Sequence, residues 1–273
     1  MEFRTTVNIA KPGFEIQPCE ELLFVGSCFA DSISQHFREE GFPVVSNPYG
    51  TMYNPVSVLH TIERCDASPR VAFLTLGTNH VYRLKETGEI VDNCEKRPQT
   101  LFQEEQLTID DCADYLQQAI DVLRRRNPDV NVVLTVSPIR YRKYGFHESQ
   151  LSKATLLLAI DRLIPHSSSL LHHPSNIYYF PAYEILMDEL RDYRFYAPDM
   201  LHPSEQAVEY IWEKLVDNYF SPAAKDYLEE WRPLKQVLRH KPFNPDSQDY
   251  QVLMDKTMLK VAELRKKYPT FAL

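Results

Sequence analysis

Asp199 and His202 stand three residues apart in "APDMLHPSEQA". A general base needs a hydrogen-bonded partner that fixes its tautomer and stabilises the imidazolium, and this spacing can set both side chains on one side of a turn. Taken alone, the pair would serve equally well as a helix cap. A group for it to act on lies far upstream, in "LLFVGSCFADSISQHFREEG", residues 22–41, where an apolar run ends in Gly26-Ser27-Cys28 and an amphipathic segment starts at once. A serine on a tight strand-to-helix turn exposes its Oγ, and its N–H sits at a helix N-terminus, where amide dipoles favour developing negative charge. That suits a nucleophile whose own amide stabilises an oxyanion; the plainer role for Ser27 is a helix N-cap. Cys28 could also be a nucleophile as a thiolate at a helix start. Adjacent side chains point in different directions, however, and Cys28, followed by Phe29, reads as a small buried residue.

Two further positions could supply oxyanion donors. Gly50 closes the turn "SNPYGTMYNP" and would let the backbone approach a substrate with its N–H. Asn79, in "GTNH", could offer a side-chain amide, although an asparagine there could simply satisfy loop backbone. Arg140, in "TVSPIR", could bind a carboxylate or a sugar hydroxyl, or form a loop salt bridge. His80 and His147 are pocket candidates without spacing evidence. His172 and His173 adjoin Pro174 without the i, i+4 partner or Cys/Asp set that a metal needs, so no metal site is expected.

These residues need elements to position them. Apolar runs at 22–25, 43–45, 71–76, 132–136 and 177–180 read as buried strands, and near-continuous apolar strands imply a parallel sheet covered on both faces. Helical patterns lie at 31–40, 110–127, 153–163, 182–193 and 203–220, the last with Pro203 at its first position. This alternation predicts an α/β three-layer sandwich, whose functional groups collect at the carboxyl ends of the strands. The rule selects Ser27, Gly50, residues 77–80 and residues 137–140. Residues 81–108 read as an insertion containing a hairpin turn. Residues 1–220 form the expected α/β domain, and 221–273 a helical C-terminal extension packed on it.

Composition narrows the partners. The net charge is −8, and the densest basic clusters are Arg124-Arg125-Arg126 and Lys266-Lys267, so neither nucleic acid nor an anionic membrane is an expected partner. Five cysteines without a C-x-x-C pair fit reduced thiols in a cytoplasmic protein. The N-terminal residues do not read as a signal peptide, and no window approaches the length of a transmembrane helix.

Ser27, Gly50, Asn79 and Asp199-x-x-His202, in this chain order, resemble the four blocks of the SGNH (GDSL-type) hydrolase superfamily. "GSCFA" at 26–30 is similar to the signature of the GSCFA-domain family, and "TLGTNHVYR", "NCEK", "TVSPIR", "QLSKATLLLAI" and "FPAYEILMDELRDYRFYAPDMLHPS" resemble it as well. The resemblance implies a flavodoxin-like sandwich that hydrolyses an ester without a cofactor. Ser27 would be the nucleophile, His202 the base and then acid, and Asp199 the orienting carboxylate. The amides of Ser27 and Gly50 and the Asn79 side chain would form the oxyanion hole. Two departures stand out: the superfamily commonly has Gly-Asp-Ser where Gly26 here directly precedes Ser27, and His80 replaces the usual Asp after Asn79. Asn93, in "VDNCEK", is a competing amide donor. The expected substrate is an acyl ester, acetyl foremost, of a carbohydrate or small metabolite. The alternatives are O-acyl transfer through the same Ser27 site and a catalytically silent carbohydrate-binding module.

Overall fold

The computed structural model describes residues 4–94, 96–164, 176–244 and 246–273. Regular structure opens with β1 (Leu22–Gly26), α1 (Cys28–Glu39), β2 (Val44–Ser46), α2 (Pro55–Arg64) and β3 (Val71–Leu76). An insertion follows, with β4 (His80–Leu84), β5 (Ile90–Val91) and β6 (Phe102–Gln106). The chain continues through α3 (Ile109–Arg126), β7 (Asn131–Val136), α4 (Gly145–Leu163), β8 (Ile177–Tyr179) and α5 (Ala182–Glu184). It ends in α6 (Glu205–Tyr219), α7 (Pro222–Arg239) and α8 (Gln248–Lys267).

The main sheet has the order β2-β1-β3-β7-β8, and every pairing in it is parallel. Counted along this sheet alone, the order is that of a flavodoxin-like doubly wound fold. Successive strand residues face opposite sides, which is why β1, β3 and β7 are buried along their whole length and mostly apolar. Leu22, Phe24, Phe73 and Val133 pack with residues of α1 and α6 such as Phe37 and Trp212. Leu23, Val25, Leu74 and Leu134 pack with residues of α2, α3 and α4, including Ile62, Leu116 and Leu156. The expected α/β three-layer sandwich is therefore the architecture of this chain. The insertion forms its own antiparallel sheet, β5-β4-β6.

The C-terminal helices join the first of these cores: Tyr227, Trp231, Leu234, Val261, Leu264 and Phe271 share a cluster with Phe24 and Phe37. Trp231 Nε1 donates to the Glu39 carbonyl at 3.1 Å, and Tyr227 Oη donates to that of Glu40. These bonds satisfy acceptors that the end of α1 leaves unpaired.

Several boundaries differ from expectation, and one of them matters for chemistry. Helix α1 starts at Cys28 rather than residue 31, because Ser27 caps it. Helix α4 starts at Gly145, eight residues earlier than its apolar periodicity suggests, because its first turns are polar. Helix α2 has a cap in Asn54 and Pro55 at its start but is short and was not foreseen. Pro203 lies outside α6, whose N-cap is Ser204. The pattern at 182–193 divides into α5 and a π-helical stretch, Ile185–Leu190.

Candidate active site

The turn that ends β1 depends on Gly26. Its φ is +146°, and a Cβ there would lie 2.0 Å from the Thr75 carbonyl oxygen, so only glycine fits. Asn47 Oδ1 accepts from the Gly26 amide at 2.8 Å, while the Ser27 amide donates to Thr75 O at 3.0 Å. Ser27 is 1% exposed. Its Oγ accepts from Phe29 N at 3.3 Å and shares a 3.2 Å hydrogen bond with Thr75 Oγ1.

Ser27 thus does not meet His202, contrary to the expected pairing. With Ser27 committed to capping, the helix begins immediately, and the next side chain turns toward the site. That side chain is Cys28, whose Sγ lies 3.5 Å from His202 Nε2. Cys28 is half-buried at the surface of the site and is not the packing residue expected.

Asp199 and His202 behave as their spacing suggests. Asp199 Oδ1 accepts from the backbone amides of Leu201 (2.8 Å) and His202 (3.0 Å), and Oδ2 meets His202 Nδ1 at 2.5 Å. These donors, the backbone ones foremost, hold the Asp199 carboxyl down to about 2. An ionised Asp199 accepts a hydrogen bond from His202 Nδ1–H, which leaves Nε2 as the acceptor facing Cys28. Burial pushes the Cys28 thiol above its ordinary value; the nearby Asp31 charge adds to this and the Lys153 charge opposes it. The resting group is therefore a thiol.

The remaining expected residues have other partners. The Gly50 amide donates to Asn47 O at 2.8 Å, and a Cβ at Gly50 would meet nothing within 4 Å, so the glycine serves the turn's φ of +94° rather than a close approach. Asn79 is buried, with Nδ2 donating to Leu107 O at 2.7 Å, because it ties the insertion to the start of α3. Neither group, nor the Ser27 amide, presents its donor to the thiol as the expected oxyanion hole required. The Cys28 amide differs: at the first position of α1 it has no carbonyl within the helix to meet. Asn93 is exposed in the loop after β5.

His80 is buried, bonded through Nδ1 to Glu104 Oε1 at 2.9 Å and stacked on Tyr144 at 3.9 Å, so it braces the insertion instead of lining a pocket. Arg140 holds the turn between Asp199 and His202: its amide donates to Leu201 O at 3.0 Å and its Nη1 to Met200 O at 3.1 Å. Its guanidinium lies 4.1 Å from the Phe146 ring centroid. A cavity of about 190 Å³ opens beside Arg140, lined also by Gln150, Met187, Tyr193 and Tyr196. His147 is exposed, and His172 and His173 lie outside the described residues. Among the described residues, no group of three or more His, Cys, Asp or Glu could hold a metal ion, and no helix is long and apolar enough to cross a membrane.

Sequence reasoning left Lys153 unassigned. It is 2% exposed, and its Nζ donates to Gly77 O at 2.7 Å and Ser137 O at 2.8 Å. Burial pulls its ammonium down to about 7. The signal was present: the buried positions of α4 include 149, 152, 153, 156 and 160, a helical stripe that carries Lys153 into the interior.

A family model described as "GSCFA family" matches residues 21–72 and 67–215, and one described as "GSCFA domain protein, C-terminal domain" matches 231–273. No curated protein matches the sequence. Similar solved structures include a protein from Streptococcus pneumonia assigned as a platelet activating factor, with TM-score 0.46 and 16% identity over 78% of this chain and 85% of that one. A protein from Parabacteroides merdae assigned as a GDSL-like lipase gives 0.45 and 13% over 76% and 99%. A carbohydrate esterase family 3 protein from Talaromyces cellulolyticus gives 0.41 and 9% over 77% and 99%.

Proposed function

This chain belongs to the GSCFA family, and from that starting point we propose that it is a cysteine-dependent acyl hydrolase acting through Cys28, His202 and Asp199. The observation that carries the reading is the 3.5 Å contact between Cys28 Sγ and His202 Nε2. His202 Nε2 takes the thiol proton as Sγ adds to the acyl carbonyl of an ester, and Asp199 stabilises the imidazolium. The carbonyl oxygen becomes an oxyanion, met by the Cys28 amide at the positive end of α1. As the intermediate collapses, the C–O bond breaks and His202 returns its proton to the departing alkoxide, leaving a thioester on Cys28. Water, deprotonated by His202, then adds to the thioester; the carboxylic acid leaves and Sγ recovers its proton. The thiol replaces the serine of the SGNH hydrolases that this sequence resembles. The substrate we assign is an acyl ester, acetyl foremost, of a carbohydrate or small metabolite, on the strength of that resemblance.

The test uses 4-nitrophenyl acetate turnover and labelling by iodoacetamide, with the modified peptide identified by mass spectrometry. Cys28→Ala is expected to lower turnover by about 10³-fold or more and to abolish labelling of its peptide, while Ser27→Ala retains both. Turnover that survives in Cys28→Ala and vanishes in a folded Ser27→Ala would return the role to the serine.

A further inference from the structure

Resting on the assignment of Cys28 as nucleophile, we propose that Lys153 is a positioning residue whose ammonium, buried at the carboxyl edge of the sheet, is the counter-charge for the Cys28 thiolate. The sheet register places it. Gly26 pairs with Thr75, and Leu76 with Val136, on the adjacent strands β1, β3 and β7. Cys28, Gly77 and Ser137 therefore follow their strands at similar levels, with neighbouring strands about 4.8 Å apart. Lys153 Nζ is bonded to the carbonyls of Gly77 and Ser137, which fixes it between the ends of β3 and β7, one strand away from the thiol.

Burying an ammonium against carbonyl dipoles alone is costly, and among the described residues no carboxylate pairs with Lys153. Cys28 completes that environment when it ionises. Its charge favours the Lys153 ammonium, and the ammonium in turn favours the thiolate. The other titratable groups around the pair are Asp31, which opposes the thiolate, His202, Tyr53, and Tyr183, whose ring centre is 5.9 Å from Nζ.

The experiment follows alkylation of the Cys28 peptide by iodoacetamide as a function of pH. It compares wild type, Lys153→Gln, which keeps a donor without the charge, and Lys153→Met, with folding checked by circular dichroism. Each is repeated with His202→Gln to remove the imidazole. Near neutral pH both Lys153 variants are expected to react about tenfold more slowly, and at pH values above their own thiol pKa to match wild type within about twofold, as a thiol pKa raised by about one unit requires. Superimposable profiles in folded variants overturn the proposal and leave Lys153 a carbonyl partner only. Should the variants not fold, wild-type protein decides. Anionic iodoacetate should gain on neutral iodoacetamide by about threefold relative to free cysteine below about pH 7, and lose that gain as the ammonium titrates; no gain overturns the proposal. Hydrolysis that persists in Cys28→Ala would defeat the nucleophile assignment while leaving the alkylation profile to judge Lys153.

Discussion

A side chain at an N-cap folds back to meet the amides of the first helical turn, whereas the next one leaves the helix in a new direction. Ser27 and Cys28 occupy these two positions, so their roles are set by where α1 begins rather than by which is the better nucleophile. Everything at this point hangs on Gly26. Gly26→Ala would force a Cβ to within 2.0 Å of Thr75 O in a backbone conformation that disfavours side chains. The substitution is expected to cost about 3 kcal/mol or more, seen as a lowered urea midpoint, together with loss of Cys28 alkylation selectivity. The Asp199–His202 half of the site was legible because a three-residue spacing needs only a local turn. The directions of the Ser27 and Cys28 side chains were not, because Phe29 and Ala30 are apolar and Asp31 is the first charged residue after β1, so the sequence pattern puts the helix start three positions too late.

At the scale of elements, the Asp199–His202 turn is held from β7. The segment after that strand supplies Arg140, whose backbone and side chain both bond to carbonyls lying between Asp199 and His202. Arg140→Ala keeps one of these bonds and loses the other. It is expected to lower kcat by about tenfold through a less well-oriented His202, with KM and the melting temperature nearly unchanged; a change in KM alone would instead assign Arg140 to substrate binding. The inner strands β1, β3 and β7 were legible from sequence because burial on both faces demands mostly apolar residues. Helix α2 and the first turns of α4 were not, since short or polar helical segments lack the periodicity that reveals a buried stripe. Asn79 misled for a related reason: the insertion sheet it anchors to α3 gives its amide a carbonyl partner that strand-end position alone cannot reveal.

For the whole molecule, residues beyond α6 are part of the core that supports the sheet. Trp231 is 2% exposed and packs edge-on to Phe271 with ring centres 5.0 Å apart. Trp231→Ala removes that packing and leaves the Glu39 carbonyl without its indole donor, so it should destabilise the protein by about 3–5 kcal/mol in urea unfolding. The charged, helical character of this region was plain in the sequence. Its continuity with the α1 core was not, because partners separated by 192 residues leave no local pattern. That separation also sets a clock. The helix bearing the thiol is made early, yet the donor that closes its far end is translated 192 residues later, which at about 5–20 residues per second leaves a gap of about 10–40 s. During synthesis, then, the nascent chain carries Cys28 on a helix still open at one end, well before the segment that seals it has left the ribosome.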